Sequence, residues 1–108
     1  MKKAKKVSRT NTTCLNADLE RLYVTVYGKV QGVGFRAAVK RIVKKVGGTG
    51  CVWNNHDSSV KIILEGSQEV ISEFLAWVRI GPLGASVSEI ESKKGRYKGD
   101  FSTFSIEY

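Results

Sequence analysis

The sequence predicts an α+β fold in which two helices cover one face of an antiparallel sheet. Three observations carry this expectation. Several segments alternate apolar and polar residues and are rich in Val, Ile, Tyr and Thr, the signature of strands. Two others repeat their apolar residues at helical spacing. The two kinds follow one another in the order β-α-β-β-α-β, with a short strand after them. A chain of 108 residues suits one domain with its own core. Its 42% hydrophobic and 26% charged residues are the proportions of a globular protein.

The first strand is read over Leu22 to Val30, with Leu22, Val24 and Val26 on one face and Tyr23, Thr25 and Tyr27 on the other. The glycine-rich stretch Gly28-Lys29-Val30-Gln31-Gly32-Val33-Gly34 then breaks the alternation. Phe35, Ala38, Val39, Ile42, Val43 and Val46 recur at helical spacing and predict an amphipathic helix over 34–46. Lys44 and Lys45 in its last turn complement the dipole, and Gly47 supplies a stop. Thr49 to Asn54 reads as a second strand and Asn55-His56-Asp57-Ser58 as a tight turn. Val60, Ile62 and Leu64 mark a third strand, paired with the second as a hairpin. Ser67 is placed to cap a second helix, with Glu69 in its first turn. Val70, Ile71, Phe74, Leu75, Trp77 and Val78 form its buried stripe, and Gly81-Pro82 ends it. A fourth strand falls near Ala85–Ser92. Phe104, Ile106 and Tyr108 then alternate into a short extra C-terminal strand. Two interleaved βαβ-like units on one antiparallel sheet make the ferredoxin-like arrangement.

Residues 1–20 lack a sustained apolar period and read as a flexible basic tail ahead of a domain over 21–108. Met1 to Arg9 is basic, but no apolar segment follows, so a secretory leader is not expected. No apolar run approaches the roughly 18 residues of a transmembrane helix, and no membrane partner is expected. Cys14 and Cys51 are too few for a disulfide framework and match no zinc spacing. Cys51 reads as a small apolar strand residue and Cys14 as a loop thiol; whether they pair stays open. The expected location is the cytoplasm. The net charge of +8 is spread over tail and domain and suits an anionic ligand, small phosphate or nucleic acid.

The loop from Gly28 to Arg36 joins the first strand to the first helix. Its glycines permit backbone angles that a Cβ would block. Successive N–H groups can then converge as an anion nest, and the helix N-terminus adds unpaired donors. Arg36 in the first helical turn offers a planar fork matched to phosphate. It sits at the dipole end where a carboxylate would be favoured, a penalty that a bound anion removes. On its own the loop is also a plain glycine-rich turn with a solvated arginine, and that reading carries slightly more weight. It is neither a Walker A loop, since Phe35-Arg36 follow Gly34, nor a G-x-G-x-x-G loop, since Ala37 stands at the third glycine. The helical crossover makes strands one and two parallel, so their C-terminal ends share one sheet edge. With the third strand between them they lie about 10 Å apart, and Arg36 and Asn54 are able to flank one pocket. Taken alone, Asn54 and Asn55 are turn formers.

Gly28-Lys29-Val30-Gln31-Gly32-Val33-Gly34-Phe35-Arg36 resembles the acylphosphatase signature G-x-V-Q-G-V-x-F-R at every fixed position. Gly50-Cys51-Val52-Trp53-Asn54 resembles the family's second signature, G-x-V-x-N. Gly81-Pro82 with Ala85 and Val87, and the closing Phe101-x-x-Phe104-x-Ile106, are also similar. The likeness covers about residues 22–108. Ser58 departs from the family's D-G-x-V in the turn and puts that hairpin's geometry in question. The resemblance implies hydrolysis of acyl phosphates to carboxylate and inorganic phosphate, without metal or cofactor. It implies that Gln31, Gly32, Val33, Gly34, Phe35 and Arg36 bind the phosphoryl oxygens. Asn54 would hold the attacking water, since an amide is no general base at neutral pH. Inorganic phosphate or sulfate would compete, and a monomer is expected.

The remaining residues fit. His56 is the only histidine and reads as solvated in the turn. Trp53 faces away from Asn54 and is expected to pack against the core, or else to line a surface. An RNA-binding module shares the element order, but Val60-Lys61-Ile62-Ile63-Leu64 lacks the aromatics such modules place on the third strand. Nucleic acid is therefore not the expected partner. A domain that binds a phosphorylated or carbamoylated intermediate without turnover is the other rival.

Overall fold

Alternation and helical periodicity resolve into seven elements in the computed structural model, which describes residues 18–108. They are β1 (Leu19–Lys29), α1 (Phe35–Val46), β2 (Thr49–Asn54), β3 (Val60–Ser67), α2 (Gln68–Val78), β4 (Ser86–Arg96) and β5 (Phe104–Glu107). Residues 1–17 of the expected tail, with Cys14, lie outside the described residues. Leu19 and Glu20 of that stretch belong to β1, where they pair with Ser67 and Gly66 of β3. Among the described residues no helix is long and apolar enough to cross a membrane.

The strands form one sheet in the order β4-β1-β3-β2-β5. Leu22, Val24 and Val26 of β1, Val52 of β2, and Val60, Ile62 and Leu64 of β3 turn to one face and are buried there. The stripes of both helices close over them: Phe35, Val39 and Val43 from α1, and Ile71, Phe74 and Val78 from α2. α1 begins at Phe35, with Gly34 as its N-cap, and ends on Gly47 in the left-handed conformation. Ser67 caps α2 as expected, its hydroxyl accepting from the Val70 N–H at 3.3 Å.

β5 is the short extra C-terminal strand. It runs parallel to β2, Gly50 pairing with Phe104 and Val52 with Ile106. The cause is the path from β4 at one edge to β5 at the other. Residues 97–103 cross the face of the sheet that carries no helix. There Arg21 Nε donates to Glu65 Oε2 at 2.8 Å, and Arg21 Nη2 donates to Asp100 Oδ2 at 2.8 Å. The Lys98 N–H donates to the same Glu65 oxygen at 3.0 Å. The Phe101 ring lies 5.3 Å from the guanidinium carbon of Arg21. Arg21 and Glu65 are buried as a result.

Trp53 is not in the core. The core position of β2 is Val52, so its neighbour points to the open face. There it is half-buried and shares a shallow hollow with Tyr23, Thr25, Lys61 and Ile63. Ser58 does not disturb the β2–β3 turn. It takes φ 75°, the one positive φ among the described non-glycine residues, and so does the work of the missing glycine. The Asn55 N–H donates to the Ser59 carbonyl at 2.8 Å. Asp57 Oδ1 accepts from the Ser59 N–H at 3.0 Å and from the Asn55 amide at 3.1 Å, as well as from the Ser59 hydroxyl.

Candidate active site

The loop after β1 is shaped by Gly32 at φ 75° and Gly34 at φ 76°. A Cβ at either would meet nothing within 4 Å, so backbone conformation rather than crowding calls for glycine. The space beside the loop is open. α1 has no side-chain cap and no acidic residue in its first turn, and its first backbone bond runs from the Ala38 N–H to the Gly34 carbonyl at 3.1 Å. Among the described residues, no N–H from Gln31 to Ala37 donates to a backbone carbonyl. A row of unpaired donors at a helix N-terminus is an environment for an anion.

The loop residues divide by role. Gly32, Gly34, Phe35 and Arg36 line a pocket of about 150 Å³ together with Asn54. Arg36 and Asn54, placed at one sheet edge by topology alone, thus meet in one cavity. Gln31 and Val33 do not line it. Val33 packs against the core. The Gln31 side chain turns to the β2–β3 hairpin, donating to the Asn55 carbonyl at 2.9 Å and the Ser59 carbonyl at 3.0 Å. Asn54 Oδ1 is buried and has no hydrogen-bond partner among the described residues. A buried acceptor without a partner is costly unless water or ligand satisfies it. His56 is exposed in the turn.

Sequence reasoning missed the far wall, Ile106 and Tyr108. Their alternation with Phe104 put all three on one face, but nothing local said that β5 would lie beside β2. The Tyr108 ring sits 4.9 Å from the Arg36 guanidinium carbon, and Arg36 Nη1 makes a long 3.5 Å approach to the Glu107 carbonyl. The arginine is thereby held at the pocket by stacking, without a carboxylate partner among the described residues.

Fold and pocket together define a class: a ferredoxin-like α+β domain with a donor-rich loop at the head of its first helix. Comparison with known proteins narrows it. The acylphosphatase family model matches residues 22–106. An acylphosphatase from Pyrobaculum calidifontis is 41% identical over 92 residues, 84% of each chain. A solved acylphosphatase from Bacillus subtilis superposes with a TM-score of 0.79 at 33% identity, covering 83% of this chain and 99% of that one. One from Coxiella burnetii gives the same TM-score at 31% identity, over 84% and 95%. The chain belongs to the acylphosphatase family.

Proposed function

We propose that the chain hydrolyses acyl phosphates to carboxylate and inorganic phosphate, with the phosphoryl group on the 31–36 loop and Arg36 and the attacking water on Asn54. Membership of the family supports the reaction class. The observation that supports the division of roles is the unpartnered oxygen of Asn54, buried in the same cavity as Arg36 and the loop. The cavity of about 150 Å³ has room for a phosphoryl group beside a water, whose share of liquid volume is about 30 Å³.

Negative charge builds on the phosphoryl oxygens as water attacks and the acyl oxygen leaves. Preorganised N–H groups and the guanidinium fork stabilise that charge without reorganising. Asn54 Oδ1 accepts one hydrogen of the water and aims its lone pair at phosphorus, opposite the leaving carboxylate. The phosphorus–acyl oxygen bond breaks, the carboxylate departs with that electron pair, and the water's proton passes to a phosphoryl oxygen. A carboxylate needs no protonation to leave, so the step calls for no general acid. Inorganic phosphate and sulfate fit the same donors and should compete. The oligomeric state we propose is a monomer, and the setting the cytoplasm.

Acetyl phosphate turnover with inorganic phosphate titration tests the roles. Arg36→Ala should lose phosphate binding and turnover together, by at least about 10²-fold in kcat/KM. Asn54→Ala should keep phosphate affinity and lose turnover by a similar factor of about 10². EDTA should leave the parent rate unchanged. An Asn54→Ala protein that works at the parent rate removes the water-holding role.

A further inference from the structure

A second cavity lies between α1 and the end of α2. It is an open groove of about 400 Å³ lined by Ala38, Arg41, Ile42, Lys45, Trp77 and Pro82. None of these residues lines the pocket at the head of α1. Its chemistry is one-sided. Ala38, Ile42, Pro82 and the Trp77 ring give it an apolar floor. Its charged groups are the two cations Arg41 and Lys45, neither of which forms an ion pair among the described residues. α1 has no carboxylate, and Glu69 and Glu73 of α2 take no part in the lining.

We infer that this groove is a binding site for a small aromatic carboxylate, a ligand with a flat apolar body and one anionic head. The volume falls within the roughly 300–1,000 Å³ of small-molecule sites. The Trp77 ring is half-buried and fixed from below by Phe35 and Phe74, at centroid distances of 6.1 and 6.4 Å, so the surface for an aromatic body is preformed. Arg41 and Lys45 are one helical turn apart and offer donors on the same side of α1. A neutral ligand would cover these cations without pairing them, and a bare anion would leave the apolar floor in water. The chain's own residues 1–17 carry five basic side chains and no carboxylate, so charge argues against them as the occupant.

The test uses the full chain and 2-naphthoate, with 2-naphthylmethanol as the uncharged control. Binding is followed by the backbone amide resonances and the indole N–H resonances of the two tryptophans. Saturable shifts are expected over Ala38 to Lys45 and at the Trp77 indole, with the Trp53 indole unmoved. They should be the same with and without saturating inorganic phosphate, because the two cavities share no residue. Arg41→Gln/Lys45→Gln should weaken binding about tenfold or more, as loss of the charge-assisted contacts requires. Both residues are exposed, so the rest of the variant's amide spectrum should match the parent's. Displacement of the naphthoate by phosphate would assign it to the pocket at the head of α1 and overturn the inference. Equal binding of the alcohol, undiminished binding by the double variant, or no saturable shift would overturn it too. The site does not depend on the acyl phosphate reading, and a loss of turnover in Arg36→Ala bears on neither outcome.

Discussion

Glu65→Ala should cost about 3 kcal/mol, a large share of a small domain's stability. Glu65 Oε2 accepts from Arg21 Nε at 2.8 Å and from the Lys98 N–H at 3.0 Å. Bonds to a charged group contribute about 1.5–3 kcal/mol each, so truncation removes about 3–6. Against this, Glu65 Oε1 is buried without a partner among the described residues, and its removal recovers about 1–3 kcal/mol. Arg21 keeps Asp100, but that carboxylate is 57% exposed and its pull is screened. Arg21→Met/Glu65→Met should lie within about 1 kcal/mol of the parent, because removing both charges also removes both desolvation costs. Urea unfolding followed by circular dichroism gives all the free energies, and the double-mutant cycle isolates the pair. A Glu65→Ala cost below about 1 kcal/mol, or a double variant no better than the sum of its singles, would refute the reasoning.

Ser58→Gly should stabilise by about 0.5–1 kcal/mol: the left-handed conformation costs a serine about 1–2, and the freer unfolded glycine returns part of that. Thermal unfolding should show a rise of about 2–8 °C. Asp57 is held below its ordinary pKa, first by the Ser59 hydroxyl and N–H and then by the Asn55 amide. A depressed carboxyl contributes stability above its unfolded value and loses it as pH falls through the folded one. Unfolding free energies of Asp57→Asn should therefore be lower than the parent's near neutrality and converge on them below about pH 4. Gly50→Ala would set a Cβ 1.8 Å from the Ile63 carbonyl oxygen and should prevent stable folding, judged by circular dichroism. Gly32→Ala meets nothing within 4 Å and should fold, at a cost of about 1–2 kcal/mol in the same unfolding assay.

Local pattern carried the sheet–helix layering because it depends on which residues share a face. Leu22, Val24 and Val26 and the hairpin residues Val60, Ile62 and Leu64 are buried as their spacing required, and both helical stripes pack onto them, with Ile42, Val46, Leu75 and Trp77 half-buried at their margins. The meeting of Arg36 and Asn54 was legible too, since a crossover helix forces β1 and β2 parallel. What depends on distant chain was not. Arg21 and Glu65 occupy outward positions of their strands, where charge reads as solvated. Only the return of residues 97–103 over that face buries them. Trp53 reads as facing away from Asn54, against the core or else on a surface; Val52 fills the core position of β2 and Trp53 takes the surface. Tyr108 could not be placed at the pocket until β5 was known to lie beside β2.

The two stretches that meet at the pocket are mechanically one piece. Hydrolysis needs the phosphorus and the water held within a few tenths of an ångström of a working geometry. In the proposed reading the donors of the 31–36 loop would fix the first, and Asn54 at the end of β2 would fix the second. These belong to segments joined through a helix and a turn, and either could drift against the other. Gln31 prevents this. Its amide donates to the carbonyls of Asn55 and Ser59, which flank the turn immediately after Asn54. Asp57 ties the same turn from within, through Asn55 and Ser59. A glutamine at position 31 therefore makes sense although it does not line the pocket. On the proposed reading it would set the distance between the 31–36 loop and the Asn54 amide, while the loop's backbone N–H groups stay free of backbone partners among the described residues.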